Sequence, residues 1–373
     1  MQGDKKATLI IDRTLPEIYR PACKMSRLDI LDYCWLQKDM GVDIIELDAG
    51  LVRKIGKLPE GLDFILRISA YDDIKLCIRT GIKRCVMRRP LLEMPGMAGI
   101  ICANKLEATL EVSINTLKGI DRLEQIKGLE SFDALSSIRV SGLSHVASYE
   151  WVDSMERIKN KLRMKMDICP ENRFCLGTAA ALEAVESGYD YVTASFAGYG
   201  RKKSYTPLEE LLAAMKVLLG KLSRTDLCKL PELSGRFKKF SQRSIPDNKA
   251  IIGRNIFKYE SGIHAGGIEK DPRTYEPFDP AIVGQQRSMA IGKHSGRSSV
   301  RKKLLELGLE GSSNDVERML EQIREKSIQK GSDLSDDELV CLFYKNFKPP
   351  ALIPRLLKRQ NRNGGEAYGC MYS

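Results

Sequence analysis

Histidine is scarce in this 373-residue chain, which holds three: His145, His264 and His294. The first two-thirds, where a scaffold of alternating strands and helices is legible, keeps His145 alone, and the other two follow it. Cysteine is not scarce, with ten residues, but no two of them form a C-x-x-C pair. Scattered through strand- and helix-like stretches, they read as buried reduced thiols rather than a disulfide framework. No apolar run approaches the ~20 residues that a membrane span needs. The opening "MQGDKKATLIIDRTL" runs from two lysines straight into a strand-like segment with no small-residue cleavage site, so no signal peptide and a cytoplasmic location are expected. No G-x-G-x-x-G follows the first strand, which argues against a doubly wound dinucleotide fold. Zinc-finger spacing and RNA-binding aromatic signatures are missing too, so the net charge of +11 does not by itself point to nucleic acid. A basic surface equally attracts small polyanions.

Eight β-rich runs alternate with helical patterns: 8–12, 43–48, 64–68, 84–88, 109–114, 137–141, 165–168 and 191–196. Between them lie segments such as "RLDILDYCWLQKDMG" and "LGTAAALEAVESG". This alternation predicts an α/β chain built as a (β/α)8 TIM barrel over residues 1–222. Residues 223–294 then turn rich in Gly, Pro and turn formers and read as a linker or lid. Residues 295–350 read as a small helical subdomain, and 351–373 as a basic tail. Ser312, Ser313 or Asn314 is available to cap one of its helices and Ser335 another. Glu46, closing "IIELD", is a barrel carboxylate, and His145 follows the sixth strand on the face where such barrels work.

The segment "SGIHAGGIEKDPRTYEPFDPAIVGQQRSMAIGKHSGR", 261–297, resembles the post-barrel region of homocitrate synthases of the nitrogen-fixation type. "GVDIIELDAG", "LGTAAALEAVESGYDYVTASFAGYG" and "PLEELLAA" extend the resemblance along the chain in that family's order. The resemblance implies condensation of acetyl-CoA with 2-oxoglutarate to homocitrate, used in assembling the iron–molybdenum cofactor of nitrogenase. It implies a divalent metal that polarises the keto acid, and a His and a Tyr from the post-barrel region that reach a neighbouring protomer's barrel. The matching residues here are His264 and Tyr275.

The barrel motifs depart from the family. Where relatives carry D-T-T-L-R-D-G-E-Q, this chain reads "DRTLPEIYR", with Pro16 at the Arg and Glu17 at the metal-binding Asp. Where they carry H-x-H-N-D it reads "ICPENRF", with Cys169 and Glu171 at the two His positions. Arg13 and Arg173 are near in sequence but sit at other motif positions. In the lid, Gly266 stands where relatives carry Asp.

The chain therefore resembles the omega-type subunit of a split homocitrate synthase. Its expected partner is a catalytic alpha-type subunit whose barrel holds the divalent metal, and no cofactor is expected on this chain. Lys293, His294 and Arg297 are weaker candidates for substrate or CoA phosphates, and Glu46 for substrate. The isolated chain is expected to be inactive, with no membrane or nucleic-acid partner. Two alternatives stay open. One is a self-sufficient enzyme using an atypical metal site of Glu17, Cys169 and Glu171; the other is a non-catalytic scaffold. No regulatory domain of the isopropylmalate synthase kind is expected after the helical subdomain, and that expectation favours the homocitrate type.

Overall fold

The computed structural model describes residues 7–20, 25–116, 119–120, 122–144, 150–222, 225–260 and 262–347. His145 and the basic tail lie outside the described residues. The chain forms two compact units, Met1–Ile256 with Phe278–Gln286, and Phe257–Pro277 with Arg287–Ser373.

The first unit is a closed barrel of eight parallel strands in sequence order. They are β1 (Leu9–Asp12), β2 (Ile44–Asp48), β3 (Asp63–Arg67), β4 (Arg84–Met87), β5 (Glu107–Ile114), β6 (Leu135–Gly142), β7 (Lys165–Pro170) and β8 (Tyr191–Ala194). Closure comes from β1 pairing with β8, Ile11 opposite Thr193. Side chains alternate across each strand, so every second residue faces the barrel interior. Ile11, Ile44, Ile65, Val86 and Tyr191 form one apolar interior cluster. Two residues further along the same strands the interior residues become Arg13, Glu46, Arg67 and Thr193. The change from apolar to charged thus occurs within a single barrel, at the end where strands lead into their following helices.

The helix Arg27–Asp39 starts from a capping box between Ser26 and Asp29. It packs against a second helix, Leu230–Ser241, which the turn-rich sequence had concealed. The Tyr33 and Phe240 rings lie 6.3 Å apart across this contact, and Phe237 meets Phe196 at 5.4 Å. The expected boundary at residue 222 is therefore not where the units divide: residues 225–256 stay with the barrel, and so does 278–286. The reason is an amphipathic stripe, Leu230, Leu233, Phe237 and Phe240, that buries its rings on the barrel's helical layer.

The second unit holds helices Gly262–Lys270, Arg297–Glu306, Ser313–Lys330 and Asp336–Asn346. Val300, Leu304, Met319, Ile323, Leu339 and Leu342 fill its core. Ser312 and Ser335 are the N-caps, each in a capping box with Asp315 and Glu338 respectively. "GIHAGGIEK" is a helix rather than the turn its glycines suggested, because Ala265 and Ile268 bury one face. Burial of that face outweighs the roughly 1 kcal/mol that each interior glycine costs.

One backbone position controls how β6 leaves the barrel. Gly142 has φ +110°, and a Cβ there would lie 2.4 Å from the Ile114 carbonyl oxygen of β5. Gly142→Ala is expected to destabilise the barrel by at least about 1–3 kcal/mol, the usual cost of such backbone strain, read as a lower urea midpoint at unchanged slope. An unchanged midpoint would contradict this role.

Candidate functional site

The interior charges of the barrel form one network. Arg139 of β6, fully buried, donates from Nε to Asp167 Oδ2 of β7 at 2.5 Å and from Nη1 to Glu46 Oε2 of β2 at 2.5 Å. Arg67 at the end of β3 donates to the other Glu46 oxygen at 2.6 Å and to Glu111 Oε2 of β5 at 2.8 Å. Arg13, just beyond β1, reaches Glu111 Oε1 and Cys169 Sγ, both at 3.4 Å, and Glu17 Oε1 at 3.1 Å. The Arg13 guanidinium lies 4.0 Å from the Tyr205 ring centroid. Thr193 Oγ1 donates to Asp167 Oδ1 at 2.8 Å. At the centre, Arg13, Arg67 and Arg139 thus balance Glu46, Glu111 and Asp167.

The titration behaviour follows from this balance. Burial alone would push Glu46 up, but Arg67, Arg139 and Arg13 outweigh it and hold the carboxyl well below its ordinary range. Burial likewise opposes, and the same guanidiniums win, at Glu111, which is lowered to about 2. At Asp167 burial outweighs both Arg139 and the Thr193 hydroxyl, and the carboxyl is raised. Burial raises the Cys169 thiol to about 11 despite Arg13 and Arg139, so at neutral pH it is a neutral thiol.

These facts decide how the residues expected at the family's metal positions are used. Glu17, on the short helix Thr14–Ile18, accepts from Arg13 through one oxygen and from the Arg201 backbone N–H through the other at 3.0 Å. The Arg201 side chain also donates to the Pro16 and Glu17 carbonyls at 2.6 and 2.8 Å. Glu171 is buried in an ion pair with Lys203. With Cys169 protonated, the three offer a divalent cation no shared, free set of donors. Among the described residues no group of three or more His, Cys, Asp and Glu side chains is placed to hold a metal ion. The residues present do not fit the divalent metal that the fold family implies: guanidinium and ammonium groups stand among its positions.

Arg67 and Arg139 escaped sequence reading, and Arg13 was discounted because it did not match a motif. A usable signal was present. Glu46 in "IIELD", Arg67 in "FILRI", Arg139 in "SIRVS" and Asp167 in "KMDI" put charges inside barrel strands, at positions that alternation turns inward. Opposite charges from strands around the closed barrel then meet in its interior. Arg173, by contrast, is exposed.

The second unit gathers a different group. His264, on the helix Gly262–Lys270, is exposed, and its ring centroid lies 4.5 Å from that of Tyr275. Tyr275, 46% exposed, follows a 3-10 turn at Pro272–Thr274. Gly267 makes the pairing possible, since a Cβ there would come within 2.4 Å of the Tyr275 ring. A Cβ at Gly266 would meet nothing within 4 Å, so the absence of the family's Asp there leaves open space rather than a collapsed lid. His294 and Lys293 are exposed in the turn before the helix Arg297–Glu306, and the His294 backbone N–H donates to Glu260 Oε1 at 2.8 Å. Arg297 forms an ion pair with Glu317 on the protein surface.

Residues 251–331 match the family described as homocitrate synthase post-HMGL domain-like, and residues 100–236 the family described as HMGL-like. The chain is 31% identical over 352 residues to the homocitrate synthase omega subunit of Clostridium pasteurianum, covering 93% of this chain and 97% of that one. It is also 31% identical over 298 residues to homocitrate synthase 1 of a Nostoc species, covering 74% and 78%. The HMG-CoA lyase structure from Bacillus subtilis superimposes with a TM-score of 0.52 at 12% identity, covering 66% of this chain and 97% of that one. At that identity the likeness speaks for the barrel fold.

Two outcomes are expected from the network. Cys169 should resist alkylation at pH 7.5 while the exposed Cys102, Cys175, Cys228 and Cys341 react, as peptide mass spectrometry can read; rapid labelling of Cys169 in the folded chain would contradict its state. Arg139→Met leaves Glu46 and Asp167 without their shared cation and should cost about 3–5 kcal/mol. Folded-state carboxyl pKa values raised above their unfolded values favour folding at low pH, and that advantage is lost as pH rises through them. The deficit of the variant should accordingly be larger at pH 8 than at pH 5 in urea titrations. Equal deficits would show that charge compensation is not what Arg139 supplies.

Proposed function

Since the chain belongs to the homocitrate synthase family, we propose that it is the subunit of a two-chain homocitrate synthase that lends its lid to a partner's barrel. The substrates in this reading are acetyl-CoA and 2-oxoglutarate, and the product serves nitrogenase cofactor assembly. The name of the Clostridium relative as an omega subunit supports the existence of a second chain. The observation that carries the proposal is a contrast within one molecule. The barrel's interior charges neutralise one another, whereas the exposed His264–Tyr275 pair points to no use inside its own unit.

The chemistry divides accordingly. The divalent metal belongs, in this reading, to the partner's barrel, and this chain provides the base. An imidazole, with an ordinary pKa of about 6.5, can take a proton from the methyl group of an acetyl thioester near neutral pH and return it to solvent. The Tyr275 ring lies against His264, the two planes tilted by 51°, and limits how the imidazole can turn. Gly267 sets how closely the ring packs.

Release of free thiol from acetyl-CoA with 2-oxoglutarate, followed for this chain alone, for an intact-barrel alpha-type subunit alone and for the mixture, tests the proposal. Activity is expected from the mixture, and His264→Ala in this chain should lower it by about 10²–10⁴-fold, the usual worth of a general base. Tyr275→Phe should cost less. Full activity from this chain alone would favour the self-sufficient enzyme instead. Mixed activity indifferent to His264→Ala would reduce this chain to a scaffold.

A further inference from the structure

The Tyr275 ring is half exposed, so burial alone does not keep it 4.5 Å from His264. The turn that carries it is tied at both ends. At its start the Asp271 N–H donates to the Gly267 carbonyl at 2.9 Å, which joins the turn to the helix of His264. Within it, the Tyr275 and Glu276 N–H groups both donate to the Pro272 carbonyl, at 3.1 and 3.0 Å. At its far end Arg287 donates from Nε to both Glu276 oxygens, at 2.8 and 3.0 Å, and from Nη2 to Oε2 at 2.7 Å. This ion pair differs from others in the same unit. The Glu276 side chain is 8% exposed, whereas the carboxylates of Arg273–Asp271 and Arg297–Glu317 are 44% and 50% exposed. Pairs open to water contribute little. A carboxylate that has left water needs its cation, and a forked guanidinium fixes direction as well as distance.

The anchor of the fork is a small sheet. Arg287 stands one residue before β10 (Ser288–Met289), which pairs in parallel with β9 (Lys258–Tyr259). Met289 is buried in the core of the unit, and Tyr259 packs against that core. In the chain β9 comes just before the helix of His264, as Arg287 comes just before β10. The base is thus carried from one strand of the pair, and the turn that bears Tyr275 is gripped from the other.

We infer that Glu276 and Arg287 are positioning residues of the lid: their ion pair holds the Tyr275 ring against His264. They act through Tyr275 and carry no proton in the reaction. The consequence for catalysis rests on His264 being the base supplied to the partner's barrel. The geometric part does not, since all four residues belong to one unit of this chain. Without the pair, the turn keeps its internal hydrogen bonds, its far end is released, and the tyrosine ring swings away from the imidazole.

The test is an NMR spectrum of the isolated full chain labelled with ¹³C at Cε1 of histidine. The chain has three histidines, and His264→Gln identifies the signal of interest. The neighbouring tyrosine displaces that signal by its ring current, and Tyr275→Leu gives its position without the ring. Glu276→Ala and Arg287→Ala should each carry the His264 signal most of the way to its Tyr275→Leu position. Glu276→Ala leaves behind only a guanidinium within reach of water, so it should keep the circular dichroism of the parent. The double variant should move the signal no further than the singles, as expected of two halves of one interaction. His294, in the same unit but outside this turn, should keep its signal. In the mixed enzyme both single variants should lower kcat about 10- to 100-fold with the KM for acetyl-CoA unchanged, the mark of a displaced group and not of lost binding. A His264 signal that stays in place in both variants would overturn the clamp. So would His264 and His294 signals that move together, which would reduce the pair to general support of the unit. An unchanged kcat in a mixture that still needs His264 would overturn the positioning role. The spectra need no partner, so they decide the clamp even where the mixture shows His264 to be idle.

Discussion

Three guanidiniums and three carboxylates buried at the centre of a barrel constrain nearly everything else about this unit. A lone buried charge is costly enough that the group changes protonation or the fold gives way. Here each charge is answered by one from another strand, next to it or across the barrel: Glu46 by Arg67 and Arg139, Glu111 by Arg67 and Arg13, Asp167 by Arg139. The match requires the strands to keep their register, because a slip of one residue would turn each of these side chains outward. The network therefore fixes the barrel while adding little net stability, as is usual for buried ion pairs.

The same network explains how a barrel of this family carries residues so unlike its relatives'. Divalent-metal sites need free carboxylates and neutral imidazoles converging on one point. In this chain the carboxylates converge on arginines, the thiol at Cys169 is held protonated, and Glu171 is tied to Lys203. Arg13 is central: it replaces the missing motif arginine in charge but faces Glu111, Glu17 and Cys169. A cation in that place repels a metal ion as surely as a lost ligand fails to hold one. The lid pair His264–Tyr275, in the other unit, is spared this rearrangement and keeps its ring contact.

Much of this was legible in the sequence, and what was not has physical reasons. All eight strands were readable because parallel barrel strands are apolar on both faces and punctuated by helices. Ser335 was legible as a cap, whereas Ser312, Ser313 and Asn314 stayed open at the other helix until the capping box of Ser312 with Asp315 distinguished them. The helix at Leu230–Ser241 was hidden by the Pro, Gly and basic residues around it, although Pro231 stands in a helix's first turn, where proline is tolerated. "GIHAGG" looked like a turn because glycine propensity is local, while burial of Ala265 and Ile268 is tertiary. The family motifs identified which residues were altered. They could not show what replaced their function, because Arg67 and Arg139 come from strands that carry no motif and meet only once the barrel closes.

The central claim is that this barrel's charges satisfy one another instead of a metal. Its most direct test is metal titration of the purified, metal-free chain with Mg²⁺, Mn²⁺ and Zn²⁺, read by calorimetry and by elemental analysis after gel filtration. The account predicts no stoichiometric, saturable binding within the barrel. One tightly held ion per chain, lost on Glu171→Gln or Cys169→Ala, would contradict it and return the barrel to the active enzymes.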